Sequence, residues 1–179
     1  MKGIVFTEFI EMVEQTFGYE MADDLIESND LPSGGSYTAI GTYDFGEMVA
    51  LVTTLSQRTN TPVPDLLHAF GKFLFQTFKK GYPAFLEAAN SCFDFLESIE
   101  KYIHVEVRKL YPDAELPTFE TNRLDIKTLE MNYFSERKMG SFAMGLIESN
   151  MEYFGEKGSI DMNLKNESGS EVQFIIKKL

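Results

Sequence analysis

Apolar residues recur at helical spacing through most of the first 110 residues. The spacing predicts helices over residues 4–17, 21–27, 46–59, 65–79, 84–89 and 91–110. Gly18, the Pro62–Pro64 segment and Pro83 are expected to separate these helices, because glycine and proline interrupt helical hydrogen bonding. Asp44 stands where the third helix needs an N-terminal cap.

After Pro117 the apolar pattern changes to alternation, which is typical of strands. It predicts a strand over residues 125–135 and a short one over 118–122, with a helix following over 139–151. Two more alternating runs, 160–164 and 172–176, flank a loop of turn-forming residues and predict a β-hairpin. The predicted fold class is α+β, with a helical N-terminal portion followed by helices and an antiparallel sheet.

The length of 179 residues suits a single domain. Sixteen basic and 28 acidic residues give a net charge of −12, so nucleic acid and anionic membranes are disfavoured and a partner with a basic face is favoured. Apolar runs are too short to span a membrane, and Glu8 and Glu11 interrupt the segment where a secretion signal would be apolar. We therefore expect a cytoplasmic protein with neither a nucleic-acid nor a membrane partner.

Cys92 is the only cysteine, which excludes an internal disulfide and a cysteine-based zinc site. It is either a small buried residue or a redox-sensitive thiol. A nucleophilic Cys–His pair is excluded, because His104 lies about 18 Å further along the same predicted helix. The sequence also lacks the dinucleotide-binding, P-loop, zinc-protease and nucleophile-elbow motifs.

The chain is rich in aromatic residues, with 16 phenylalanines and eight tyrosines. This composition is typical of an aromatic core, or of a core that surrounds a large flat apolar ligand. Of the two histidines, His104 is predicted at the edge of the apolar stripe of its helix, whereas His68 is predicted to face solvent. A single half-buried histidine is either a structural residue or the proximal ligand of a haem, which needs one neutral imidazole nitrogen in a wide apolar pocket.

Tyr133, Ser135 and Arg137 are alternate residues of a predicted strand and would therefore share one face. Two hydroxyls and a guanidinium side by side suit a pair of carboxylates, since the arginine alone can donate two hydrogen bonds. The alternative is an exposed polar strand face. Combined with His104, the triplet describes a haem site in which these donors hold the propionates.

The residues resemble the haem nitric oxide/oxygen binding (H-NOX) family, and the chain is identified as a bacterial stand-alone member related to the haem domain of soluble guanylate cyclase. The Y-x-S-x-R run is the most specific feature, with His104 about thirty residues upstream and a proline between them. The other matching features are the Met1-Lys2-Gly3 start, the first helix ending at Gly18, Phe70-Gly71, Thr77-Phe78, Pro117 and Lys138-Met139.

The resemblance implies an H-NOX fold in which haem b lies between a helical subdomain (about 1–60) and a haem-binding subdomain of helices and sheet (about 61–179). His104 would be the proximal iron ligand, and Tyr133, Ser135 and Arg137 would hold the propionates. Pro117 would press on the porphyrin and contribute to its distortion. The distal side would be lined by apolar residues of three helices, namely Ile4, Val5, Phe9, Leu74, Phe78, Phe142 and Leu146.

One position of the family distinguishes its gas ligands. Oxygen-binding members carry a tyrosine five residues after the motif arginine, where this chain has Phe142. Phe9 and Leu74 offer no hydrogen bond either, so we expect ferrous haem here to bind nitric oxide and carbon monoxide and to exclude O2. A donor from Tyr19, Tyr37 or another tyrosine stays open at this point.

The resemblance implies a gas sensor and not an enzyme. NO would weaken the bond between iron and His104, and the freed helix would shift the helical portion against the sheet portion. Since no output segment precedes Leu179, the signal is expected to pass to a separate histidine kinase or cyclic-di-GMP enzyme. The alternatives are a haem protein for storage or redox chemistry, and a cofactor-free interaction domain with an aromatic core.

Overall fold

Helices form the first two thirds of the chain and the strands lie in the last third. The computed structural model describes all of residues 1–179. In chain order the elements are α1 (Gly3–Phe17), α2 (Tyr19–Glu27), α3 (Phe45–Thr59), α4 (Val63–Gly81), α5 (Pro83–Glu87), α6 (Cys92–Ser98), a π-helical segment (Ile99–Ile103), α7 (His104–Leu110), β1 (Thr118–Arg123), β2 (Thr128–Phe134), α8 (Gly140–Tyr153), β3 (Gly158–Leu164) and β4 (Glu171–Lys178). No helix is long and apolar enough to cross a membrane.

The predicted α+β class is confirmed, and local signals account for most helix ends. The Asp44 carboxylate accepts the N–H of Gly46 at 2.6 Å and caps α3 as predicted. Gly18 separates α1 from α2 with a φ of 91°, a backbone conformation that glycine adopts at no steric cost.

The single helix predicted over residues 91–110 is divided into three pieces. Between α6 and α7 the chain widens into a π-helical segment, in which His104 N–H donates to the carbonyl of Ile99, five residues earlier. Periodic spacing of apolar residues does not reveal such a turn. π-Helical turns are rare and frequently occur at functional sites.

The four strands form one antiparallel sheet in the order β1-β2-β4-β3. The strand predicted from residue 125 begins at Thr128, because Leu124 and Asp125 both donate their N–H groups to the Thr128 carbonyl and close a turn. The predicted hairpin of β3 and β4 is confirmed. Met162 and Leu164 of β3 are nevertheless exposed, since β3 is an edge strand with a neighbour on one side only.

Two apolar cores form, one on each half of the chain. The first is built from α1 to α4 and the loop before α3, with Phe6, Phe9, Leu25, Leu51, Phe70 and Leu74 among its buried members. The second lies between the sheet, α6 and α8, and includes Phe93, Leu129, Met131, Tyr133, Ile147 and Phe174.

The two cores meet where α4 crosses α8, and glycine makes this crossing close. A Cβ atom on Gly71 would overlap the carbonyl oxygen of Phe142, and one on Gly145 would overlap the carbonyl oxygen of His68. His68 Nε2 lies 3.0 Å from the carboxylate of Glu148 with about a third of the side chain exposed, so the prediction that His68 faces solvent is only partly correct. The packing of α8 against α4 brings an acidic partner to a histidine that the helix pattern placed on the outside.

We predict that Gly145→Ala lowers the free energy of unfolding by about 1–3 kcal/mol, because the new methyl group must push the two backbones apart. Gly81→Ala is the matched control. Gly81 ends α4 with open space around it, and alanine there should be neutral or stabilising by up to about 1 kcal/mol. Chemical denaturation of both variants measures the difference, and equal effects would contradict the close-packing account.

Candidate functional site

The site centres on His104, the first residue of α7. It is the only buried residue between Ile99 and Leu110, with 8% of its surface exposed. Its ring lies 5.8 Å from the ring of Phe119 on β1, which in turn lies 5.6 Å from Tyr133 on β2. The helix thus places its imidazole against the sheet and not in solvent.

A carboxylate fixes the orientation of this imidazole. Nδ1 of His104 lies 2.9 Å from Oε2 of Glu100, one helical turn earlier. A carboxylate can only accept, so Nδ1 carries the proton and Nε2 keeps its lone pair. Burial lowers the pKa of His104, although the bond to Glu100 opposes this, and the ring is neutral at neutral pH. Nε2 has no hydrogen-bond partner in the protein and is therefore free to bind a metal.

The Tyr133 triplet is only partly arranged as predicted. Tyr133 is on β2 and buried, and its hydroxyl accepts the N–H of Met139 at 3.0 Å, which leaves its own proton free to donate. β2 ends at Phe134, so Ser135 and Arg137 lie in the following turn and the prediction of one shared strand face is wrong. The strand stops because Lys138 donates to the Ser135 carbonyl at 3.1 Å and has a positive φ of 56°.

Arg137 is already bound to an acidic group. Its guanidinium donates to the backbone carbonyl and, at 2.6 Å, to the carboxylate of Glu115. The side chain of Arg137 is 16% exposed, whereas that of Glu115 is 83% exposed. A half-buried arginine with a solvated carboxylate partner can exchange that partner for a ligand carboxylate at modest cost.

Pro117 is half-buried and directly precedes β1. The predicted apolar lining comes from α1, α4 and α8, and aromatic contacts connect these three helices. Phe70 lies 5.3 Å from Phe9 and 5.1 Å from Phe142. Phe9 and Leu74 are buried, and the half-buried members of the set are Ile4, Val5, Phe78, Phe142 and Leu146.

These side chains fit a haem. His104 supplies one neutral nitrogen with a free lone pair, and no group of three metal-ligating side chains occurs elsewhere in the protein. Arg137 and Tyr133 supply donors for acidic groups. The half-buried apolar side chains are of the kind that covers the faces of a macrocycle. A surface cleft of about 400 Å³ lies elsewhere, on the outer side of α1, and shares no residue with this set.

A polar contact connects the loop after α7 to the start of α1. Lys2 Nζ lies 3.3 Å from the Asp113 carboxylate and 4.9 Å from the centre of the Tyr111 ring. Thr42 also donates to Asp113 at 2.8 Å. A displacement of α7 would therefore also displace the N-terminal turn that carries Ile4 and Val5.

Sequence reasoning missed two residues of the site. Glu100 was detectable, because a carboxylate four residues before a histidine shares its helix face. Glu115 had no signal in the sequence, since only the tertiary fold brings it to Arg137.

Cys92 is fully buried in the second core. Burial raises the pKa of its thiol to about 12, and the charge of Glu156 acts in the same direction. Because the thiolate is the reactive form, this environment favours a buried structural cysteine over a redox-sensitive one.

We predict that iodoacetamide alkylates Cys92 in the native protein at pH 8 at least roughly a thousandfold more slowly than in the unfolded chain, where the thiol has its ordinary pKa. Mass spectrometry of time points with and without guanidinium chloride measures both rates. Comparable rates in the two conditions would mean that the thiol is accessible and ionised in the folded state.

Comparisons with a family model and with solved structures identify relatives of this chain. The family described as haem-NO-binding matches residues 2–162. The chain is 45% identical to the Fe(II) unliganded A71G mutant of an H-NOX protein from K. algicida, with a TM-score of 0.96 over 100% of this chain and 97% of that one.

Two further H-NOX structures are similar. The chain is 42% identical to the IWP-051-bound protein from Shewanella woodyi in the Fe(II)CO state, with a TM-score of 0.85 over 100% of this chain and 95% of that one. It is 27% identical to the protein from S. oneidensis in the Fe(II)NO state, with a TM-score of 0.92 over 100% and 99%. The comparison with curated proteins finds no match. A family match over most of the chain, with its fold reproduced throughout, shows that the protein belongs to the H-NOX family of haem-based gas sensors.

Proposed function

We propose that this protein binds haem b through His104 and senses nitric oxide. The observation that carries the proposal is the buried, neutral imidazole of His104, whose Nδ1–H donates to Glu100 and whose Nε2 lone pair is free. A metal that is bound by one histidine and otherwise by a macrocycle needs this arrangement. Membership of a haem-binding family supports the same assignment.

Tyr133, Ser135 and Arg137 would hold the two propionates. Tyr133 has a free hydroxyl proton, and Arg137 carries a carboxylate partner that is exposed enough to be displaced. Ser135 uses its hydroxyl to accept the N–H of Arg137 at 3.2 Å and thereby ties the two residues into one turn. Pro117 would restrict the shape of the macrocycle from the position just before β1.

Gas selectivity follows from the lining residues. Phe9, Leu74 and Phe142 carry no hydrogen-bond donor, and bound O2 needs one far more than NO or CO does. Of the two tyrosines considered as donors, Tyr19 is 73% exposed, and the Tyr37 hydroxyl already donates to Glu47 at 2.9 Å. We therefore propose NO and CO as ligands and exclude O2. These apolar positions also offer no acid or base, which favours a sensor over an enzyme.

When bound, haem would supply an iron atom that takes up the gas, and His104 would be the residue that ties this iron to the protein. The chain supplies the output. A His104 that is no longer held by iron would leave α7 and the π-helical segment free to move, and the contacts of Lys2 with Asp113 and Tyr111 would carry this movement to the N-terminal turn. The helical subdomain, about 1–60, would then shift against the remainder.

The signal would leave through a separate effector, a histidine kinase or a cyclic-di-GMP enzyme. The net charge of −12 favours an effector with a basic docking face.

We predict that His104→Gly loses its haem absorption band on purification and regains it when imidazole is supplied, since free imidazole replaces only the ligand. In the rescued variant, NO should no longer change hydrogen exchange over residues 99–110, because the ligand is detached from the chain. Hydrogen exchange with and without NO, compared with the unmodified protein, checks both points. The same NO-induced change in both proteins would contradict signalling through this bond.

We predict that the reduced protein shows no stable oxygenated spectrum in air, whereas Phe142→Tyr gains one because a phenol donor is introduced. Phe142→Leu is the control, since it changes size without adding a donor. Absorption spectra recorded after exposure to air decide the matter. A stable oxygenated spectrum from the unmodified protein would rule out the proposed exclusion of O2.

A further inference from the structure

The Glu100 carboxylate accepts hydrogen bonds from three groups, which lie on α7 and on β1. Oε2 bonds Nδ1 of His104 at 2.9 Å and accepts the N–H of Phe119 at 3.3 Å. Oε1 accepts from the guanidinium of Arg108 at 3.3 Å. The π-helical segment carries Glu100 and β1 carries Phe119, so the carboxylate is fixed against the imidazole by both elements.

This contact has a chemical consequence at the other ring nitrogen. An imidazole that donates from Nδ1 to a carboxylate is a more basic ligand at Nε2, and such partners of metal-binding histidines affect metal affinity strongly. Arg108 acts in the opposite direction, because its positive charge draws on the same carboxylate and reduces the pull on the His104 proton. Glu100 therefore raises the basicity of His104 Nε2, and Arg108 lowers it.

We propose that Glu100 is a positioning residue that sets the strength of the bond between His104 and haem iron, and with it the fraction of NO-bound protein in which that bond breaks. The inference rests on the proposed function, since it requires iron on His104. Glu100 strengthens the bond and makes release harder, while Arg108 moderates that effect.

A general charge effect is the competing explanation, and the same helix offers a control for it. Glu106 lies two residues after His104 and pairs with Lys109 at 2.6 Å, with no contact to the imidazole. Glu106→Gln removes the same unit of charge as Glu100→Gln, two residues from His104 along the chain instead of four. Glu100 contacts the imidazole and Glu106 does not, so a general charge effect predicts equal results for the two substitutions and the hydrogen bond to Nδ1 predicts different ones.

The experiment uses the full chain loaded with haem and compares Glu100→Gln, Arg108→Gln and Glu106→Gln with the unmodified protein. Resonance Raman spectra of the ferrous unliganded form give the iron–histidine stretching frequency, and absorption spectra after NO addition give the ratio of released to retained His104. Glu100→Gln should lower the frequency and raise the ratio about tenfold, the size expected for one charge-assisted hydrogen bond. Arg108→Gln should shift both in the opposite direction, and Glu106→Gln should leave both unchanged.

The outcomes separate a failure of the role of Glu100 from a failure of the proposed function. If haem and NO bind but Glu100→Gln matches Glu106→Gln in both readouts, the role of Glu100 is refuted and the sensor assignment stands. If the unmodified protein shows no iron–histidine band, the role of Glu100 and the proposed binding of haem through His104 are both refuted. Should Glu100→Gln not fold, Arg108→Gln still tests the inference, and an unchanged or lowered frequency in that variant would overturn it.

Discussion

The close crossing of α4 and α8 is the constraint on which the rest of the structure depends. Each apolar core belongs to one half of the chain, and these two helices are where the halves meet. Gly71 and Gly145 let the backbones touch, because any side chain at either position would overlap a carbonyl oxygen of the other helix. The crossing also sets the position of Phe142 and Leu146 relative to α1, and therefore the shape of the apolar lining.

The second determinant is the way in which one imidazole is buried. An unpartnered histidine in an apolar site would be costly, and Glu100 satisfies one nitrogen while leaving the other available. The carboxylate also accepts hydrogen bonds from Arg108 and from the backbone of β1. The histidine and the glutamate are therefore both paired with polar groups of the protein. An imidazole held in this way has a fixed orientation without any metal, as the proposed binding of haem iron by His104 requires.

The sequence predicted the helices and the antiparallel sheet well, because periodic apolar positions and turn residues are local signals. It failed where the backbone departs from a regular period. The π-helical segment before His104 and the turn that removes Ser135 and Arg137 from β2 are both closed by specific hydrogen bonds that no spacing reveals. The edge position of β3 likewise exposes Met162 and Leu164, although their alternation predicts burial.

Residue types and their order determined which chemistry could be predicted. They supply a histidine at the edge of an apolar stripe, a tyrosine–serine–arginine run and a phenylalanine at position 142. Only the tertiary structure decided the partners, since Glu115 reaches Arg137, Asp113 reaches Lys2 and Glu148 reaches His68 across distances in sequence that no local pattern spans. Local propensity acts over a few residues, whereas an ion pair or a close helix contact depends on how whole elements pack. That packing is determined by the apolar surface that the two cores bury together.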